Sequence, residues 1–99
     1  NQLPSSKIAE TDDVLVIKDL YPKAPIHYLI IPKKHIRDLT QLDTHDGHLA
    51  SKLLLMAQEL SKKDEQHERF RLVSNNGPKA GQCVFHIHIH FVAGKQMDF

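Results

Sequence analysis

Two periods of apolar residues run along this chain. Residues 14–19, VLVIKD, form a short β-branched run, and residues 27–32, HYLIIP, a nearly continuous apolar one closed by Pro32. Both read as strands, the second of them buried. A weaker strand is expected around Lys7–Ala9, ahead of a polar turn. Pro22 and Pro25 interrupt regular structure between the two stronger runs and stiffen the loop there. KKHIRDL, after Pro32, is expected to make a single helical turn. The period then lengthens. Leu49, Leu53, Met56, Ala57 and Leu60 recur at i, i+4, i+7, i+8 and i+11, one face of a helix that Asp43 or Thr44 can cap. Leu54 and Leu55 widen the stripe, in the direction of a partner subunit. KKDEQHE ends the helix in a solvated stretch, and His45, His48 and His67 are expected to be ordinary exposed residues. FRLVSN (70–75) reads as a strand, NGPKAG (76–81) as a Gly/Pro loop and CVFHIHIHFVA (83–93) as the last strand. Strands, one helix, then strands predict an α+β domain with a mostly antiparallel sheet.

The last strand carries the chemistry. Side chains alternate across a strand, so His86, His88 and His90 share one face, while Phe85, Ile87, Ile89 and Phe91 share the other and face the core. A silent surface strand more often carries Thr, Lys or Glu at such positions. Metal binding is a second reading. Alternate residues lie about 6.6–6.8 Å apart, so a metal readily bridges two of these rings but gathers all three only if the strand bends sharply. A structural zinc site would also recruit cysteines, and Cys83 is the only one. A nucleophile fits better. A neutral imidazole can attack phosphorus or an acyl carbon and form a covalent intermediate. His88, with a neighbour on each side, is the best placed. The preceding SNNGPKAGQC adds Asn75, Gly77, Gly81 and Gln82, whose main-chain N–H groups and amides suit an anion; the same stretch also makes an ordinary hairpin loop.

Composition narrows the setting. Ninety-nine residues make one domain. The net charge of +1 gives no broad basic face for nucleic acid or an anionic membrane, so an anionic partner is held locally. No apolar run approaches the roughly 20 residues needed to span a bilayer, and no signal-peptide pattern is present. With one cysteine, an internal disulfide is impossible. A reducing, cytoplasmic setting is expected.

HIHIHFV resembles the His-φ-His-φ-His-φ-φ signature of the histidine triad (HIT) superfamily. IKDLYPKAPIHYLIIPKKHI (17–36) and RLVSNNGPKAGQCVFHIHIHFVAGKQM (71–97) are similar to its histidine triad nucleotide-binding (HINT) branch. The resemblance implies a HIT fold, with a five-stranded mostly antiparallel sheet, one main helix and a short helical turn, and a homodimer. It spans residues 1–99 as a single domain, with an N-terminal segment shorter than in typical relatives. It implies hydrolysis of purine nucleoside phosphoramidates to AMP and amine through a nucleotidyl-histidine. His88 matches the nucleophile, His90 the histidine at the phosphate and leaving group, His86 a supporting histidine and His27 the fourth histidine from a neighbouring strand. Asp19 matches an acid that binds the ribose hydroxyls, with a turn-capping Asp as the plainer alternative. Ile17, Lys18 and Leu20 wall the nucleoside pocket, and Asn75, Gly81, Gln82 and Val84 match phosphate-side positions. Cys83 stands where the branch commonly has serine; a thiol is the weaker donor, or it is a small packed residue. His35 reads as structural. No metal or other cofactor is required. A dinucleoside polyphosphate hydrolase or nucleotidyl transferase, and a nucleotide-binding scaffold with incidental catalysis, remain the alternatives.

Overall fold

Alternation along three strands decides which face of the sheet is covered. The structure is a computed structural model that describes residues 7–82 and 86–97. Among these residues, β1 (Lys7–Glu10), β2 (Val14–Lys18), β3 (Ile26–Pro32), β4 (Phe70–Val73) and β5 (Ile89–Ala93) form one antiparallel sheet in the order β1-β2-β3-β5-β4. Val14 and Val16 of β2, Ile26, Tyr28 and Ile30 of β3, and Phe91 and Ala93 of β5 pack together on one face. The helix α1 (Gly47–Ser61) closes that face with Leu53, Ala57 and Leu60. Each of these side chains removes apolar surface from water, at about 25 cal/mol per Å².

The helical stripe is as expected: Leu49, Leu53, Ala57 and Leu60 are buried, while Leu54 and Leu55 are each 57% exposed. A 3-10 turn, Thr44–Asp46, leads into the helix. Asp43 caps it by accepting the His45 N–H at 2.7 Å, and Asp46 accepts the Asp43 N–H in return at 3.3 Å. No helix among the described residues is long and apolar enough to cross a membrane.

Three expectations need correction. Of KKHIRDL only Leu39 is helical; the turn falls later, at Leu39–Gln41, where the Asp38 carboxylate accepts the Thr40 N–H at 2.8 Å. The earlier residues are held out of a helix because Lys33 N–H donates to Asp13 O and Ile36 O accepts from Ile87 N–H. The described part of the last strand begins only at Ile89. Its ladder with β3 ends at the Ile30–Ile89 pair. Pro32 has no N–H to extend that ladder, and its carbonyl bonds the His86 ring at 2.9 Å instead. Ile87 turns into a second small core with Ile36 and Leu49. Residues 83–85 lie outside the described residues.

His67, expected at the surface, is 6% exposed. Its Nε2 lies 2.9 Å from the Tyr28 hydroxyl and its Nδ1 2.7 Å from the Asp64 carboxylate. A carboxylate only accepts, so Nδ1 donates to Asp64, and in the neutral ring Nε2 accepts from Tyr28. Burial, and secondarily the Asp64 charge, push the Tyr28 phenol above its usual range. Tyr28→Phe leaves the buried Nε2 without its donor, which should cost about 1–3 kcal/mol of stability. Urea unfolding measures this; a midpoint equal to that of the parent would show that the bond contributes nothing.

Candidate active site

The face of the sheet away from α1 is also apolar, but it is open. Register places Leu29 beside both Ile17 and His90, and Val73 on the far side of His90. One row along, His27, Val92 and Arg71 lie side by side. Leu29, Ile31, Val73 and Val92 thus floor a cleft of about 1020 Å³, and His86, His88 and His90 reach into it. The three histidines share a cleft although only His90 lies within the described strand.

Each ring is held by a named partner. Nε2 of His86 meets Pro32 O at 2.9 Å, and Nδ1 of His88 meets His86 O at 2.8 Å. A carbonyl only accepts, so both nitrogens donate. The neutral His88 ring therefore carries its lone pair on Nε2, which takes no hydrogen bond among the described residues. His27 approaches from β3, with Nε2 2.9 Å from Nδ1 of His90 and Nδ1 2.9 Å from the main-chain N of Lys23. Asp19 accepts the Tyr21 N–H through Oδ1 at 2.7 Å, so it does cap a turn. Its other oxygen stands 3.4 Å from His27 Nε2 and 3.8 Å from His90 Nδ1. The exposed ring of His35 packs edge-on against His86, centroids 4.9 Å apart.

Of the nucleotide-side residues read from the sequence, Ile17, Lys18, Asp19, Leu20, Asn75 and Gly81 line the cleft. Gly81 has φ +99°, a left-handed conformation that glycine adopts without strain. Gln82 is not among the residues that line it. It is buried, its Oε1 accepts the Gly77 N–H and its Nε2 donates to Arg37 O, each at 2.7 Å, so its amide shapes the loop. Cys83 and Val84 lie outside the described residues. Sequence reading missed Tyr21 and Lys23 at one rim and Arg71 and Lys95 at another. Arg71 was legible in principle, as the alternate neighbour of Val73. Among the described residues, four cationic side chains, Lys18, Lys23, Arg71 and Lys95, line the cleft against one carboxylate, Asp19, so a chain of near-zero net charge gathers cationic groups here.

The family model for the HIT domain matches residues 1–97. The chain belongs to the HIT domain family. Adenylylsulfatase HINT1 of Arabidopsis thaliana is 36% identical over 102 residues, covering 99% of this chain and 68% of that protein. A 14 kDa zinc-binding protein of Brassica juncea is also 36% identical, covering 99% of this chain and 88% of that one. Among solved structures, a HIT family hydrolase from Legionella pneumophila Philadelphia 1 superimposes with a TM-score of 0.93 at 36% identity, covering 99% of this chain and 88% of that one. These relatives support the HINT-like branch, and the sheet and helix are those of the HIT fold.

Asp19, His27 and His90 offer three ligand atoms within 4.8 Å of one another, the one such group among the described residues. A histidine ligating through Nε2 keeps its proton on Nδ1 and donates it. Here Nδ1 of His27 receives the Lys23 N–H instead, so the arrangement favours hydrogen bonding over ligation.

Burial lowers the pKa of His27, with Lys23 adding to the effect and Asp19 opposing it. Burial also lowers that of His90, helped by His88 and His27 and again opposed by Asp19. As pH falls past the usual value of 6.5, the unfolded chain takes protons that these rings refuse in the fold. Their contribution to stability is complete above that pH and is lost on descending towards the lowered values. The thermal midpoint should fall between about pH 7 and pH 5, and His90→Asn should flatten part of the slope. A midpoint that rises as the solution is acidified through this window would contradict the assignment.

Proposed function

We propose that the protein is a hydrolase of purine nucleoside 5′-phosphoramidates, releasing AMP and an amine through a nucleotidyl intermediate on His88. The observation that carries this reading is the His88–His86 carbonyl bond, which leaves the His88 Nε2 lone pair as the reactive atom in a cationic cleft. In the first step that lone pair attacks the α-phosphorus, a bond forms from Nε2 to phosphorus, and the phosphorus–nitrogen bond to the amine breaks. The nucleotidyl-imidazolium is a good leaving group, so one hard displacement becomes two easier ones. In the second step water attacks phosphorus, the bond to Nε2 breaks, and His88 returns as neutral imidazole. The loop at Asn75 and Gly81, with the lysines of the rim, stabilises the equatorial oxygens. The base and ribose take the Ile17–Leu20 end, with Asp19 Oδ2 as acceptor for a hydroxyl.

The name of the Arabidopsis relative supports a neighbouring reading, attack at the same phosphorus with sulfate as leaving group. The basic rim accommodates such an anion, and the chemistry on His88 is unchanged. No metal enters either reading. A cytoplasmic homodimer remains part of the proposal, supported by the exposure of Leu54 and Leu55 on α1.

Incubation with adenosine 5′-phosphoramidate, acid-free quenching and peptide mass spectrometry should find an AMP adduct confined to His88. His88→Ala should lower turnover by at least about a thousandfold while nucleotide binding persists. Parallel turnover of adenylyl sulfate and of a dinucleoside polyphosphate ranks the leaving groups. Absence of both adduct and AMP release across all three substrates would reduce the site to a binding cleft.

A further inference from the structure

The loop between β2 and β3 reaches the catalytic rings through its main chain. The Lys23 N–H can only donate, so Nδ1 of His27, 2.9 Å away, accepts and carries no proton. The neutral ring then has its proton on Nε2, which lies 2.9 Å from Nδ1 of His90 and donates to it. His90 accepts at Nδ1, and its own proton lies on Nε2. A proton added at His90 Nδ1 would face the Nε2–H of His27, and could be relieved only by moving a proton to the nitrogen that Lys23 already occupies.

We infer that the backbone N–H of Lys23 is a positioning group that holds His90 as a neutral hydrogen-bond donor rather than a proton source. This rests on the proposed reaction only for its catalytic consequence; the proton placement stands by itself. The consequence is a definite proton balance. The departing amine takes its proton with the substrate, from solvent, and the attacking water returns one proton to solvent in the second step. His90 donates a hydrogen bond through Nε2 throughout and neither gains nor loses a proton.

The loop is built to hold that N–H still. Pro22 and Pro25 flank it. The Asp19 N–H donates to His27 O at 3.0 Å, closing its ends. Gly94, at φ +91°, lets the end of β5 pack on Pro25; a Cβ there would come within 3.2 Å of the Pro25 Cβ. Among the described residues, the charged and titratable groups that line the cleft with the dyad are Asp19, Tyr21 and Lys23 from this loop, Lys18 from β2, His86 and His88 from the segment before β5, Arg71 from β4 and Lys95 after β5. Asp19 is the acid among them, and at 3.4 and 3.8 Å it stands beyond good hydrogen-bond distance of both rings. Burial outweighs its pull and keeps both rings neutral to lower pH than usual.

Nitrogen-15 NMR of the histidine rings reads the placement directly. At pH 7.5, without ligand, His27 and His90 should both show the Nε2–H form, and His90 should titrate below the usual histidine value of 6.5. Lys23→Pro removes the N–H, whereas Lys23→Ala keeps it and removes the ammonium. The proline variant should lose on the order of tenfold in kcat with KM little changed, since a donor is loosened rather than deleted, and its spectra should show an Nδ1–H population of His27 that the parent protein lacks. The alanine variant should keep the parent tautomers. An Nδ1–H form of His27 in the parent protein, or a doubly protonated His90 at pH 7, would overturn the inference. The spectra of the parent protein decide it even where the proline variant does not fold. Correct tautomers with no turnover would count against the reaction alone.

Discussion

Pairing of β3 with β5 is the constraint on which the site depends. Tyr28 stands opposite Phe91 and Leu29 opposite His90, so one register sends Phe91 into the core and His90 into the cleft. A slip of one residue would exchange the faces, placing an imidazole against α1 and a phenyl ring in the cleft. The core therefore protects the site's geometry. Phe91 is fully buried and stacks on Phe70 at 4.7 Å and on Tyr28 at 5.9 Å, and no alternative register keeps those contacts. His27 is carried by the same strand as Tyr28, one residue away, and so inherits the same precision.

Main-chain groups, rather than side chains, assign the ring protons. His86 gives its proton to Pro32 O, His88 gives one to His86 O, and His27 receives one from Lys23 N. Only His90 takes its assignment from another side chain, and that side chain is already fixed by the backbone. Backbone partners are placed by strand pairing and by a proline-braced loop, so ring orientation costs little additional ordering entropy. This explains how a small domain holds four imidazoles in defined states with one nearby carboxylate among the described residues. It also separates the two rings that matter: His88 presents a lone pair and His90 a proton, from the same cleft.

Local pattern carried much of this in advance. Period-two alternation gave the shared cleft of His86, His88 and His90, and the 3.6-residue stripe from Leu49 to Leu60 gave the covered face of α1. What pattern could not carry were contacts between distant segments. The last strand was expected from residue 83 because alternation continues there, but pairing with β3 depends on Pro32, far earlier in the chain. His67 looked like a solvated histidine within KKDEQHE; its burial is set by Tyr28, on a strand 39 residues away. Gln82 looked like a phosphate ligand beside the triad, yet its amide answers Arg37, 45 residues earlier. HYLIIP was read as buried because both of its faces are apolar. One face meets α1 and the other floors the cleft, a distinction that hydropathy does not encode. The link between His27 and His90 came from family resemblance, since spacing alone gives no reason to join rings 63 residues apart.

The cationic rim makes the neutrality of His90 a matter of consequence. In the proposed reaction substrate and nucleotide product would both be anions, and Lys18, Lys23, Arg71 and Lys95 line the cleft that would receive either. A further positive charge on His90 would strengthen ground state and product alike, which deepens binding without lowering the barrier between them. A neutral donor aimed at the phosphoryl or leaving atom acts differently. It is short-ranged, so it rewards the geometry in which charge builds on that atom more than it rewards mere occupancy. The Lys23 N–H and the burial of the dyad act in the same direction, against the field that a bound phosphate exerts on two adjacent imidazoles. On this view the rim supplies capture, His88 supplies the bond, and the β2–β3 loop keeps a fixed charge from retaining the product.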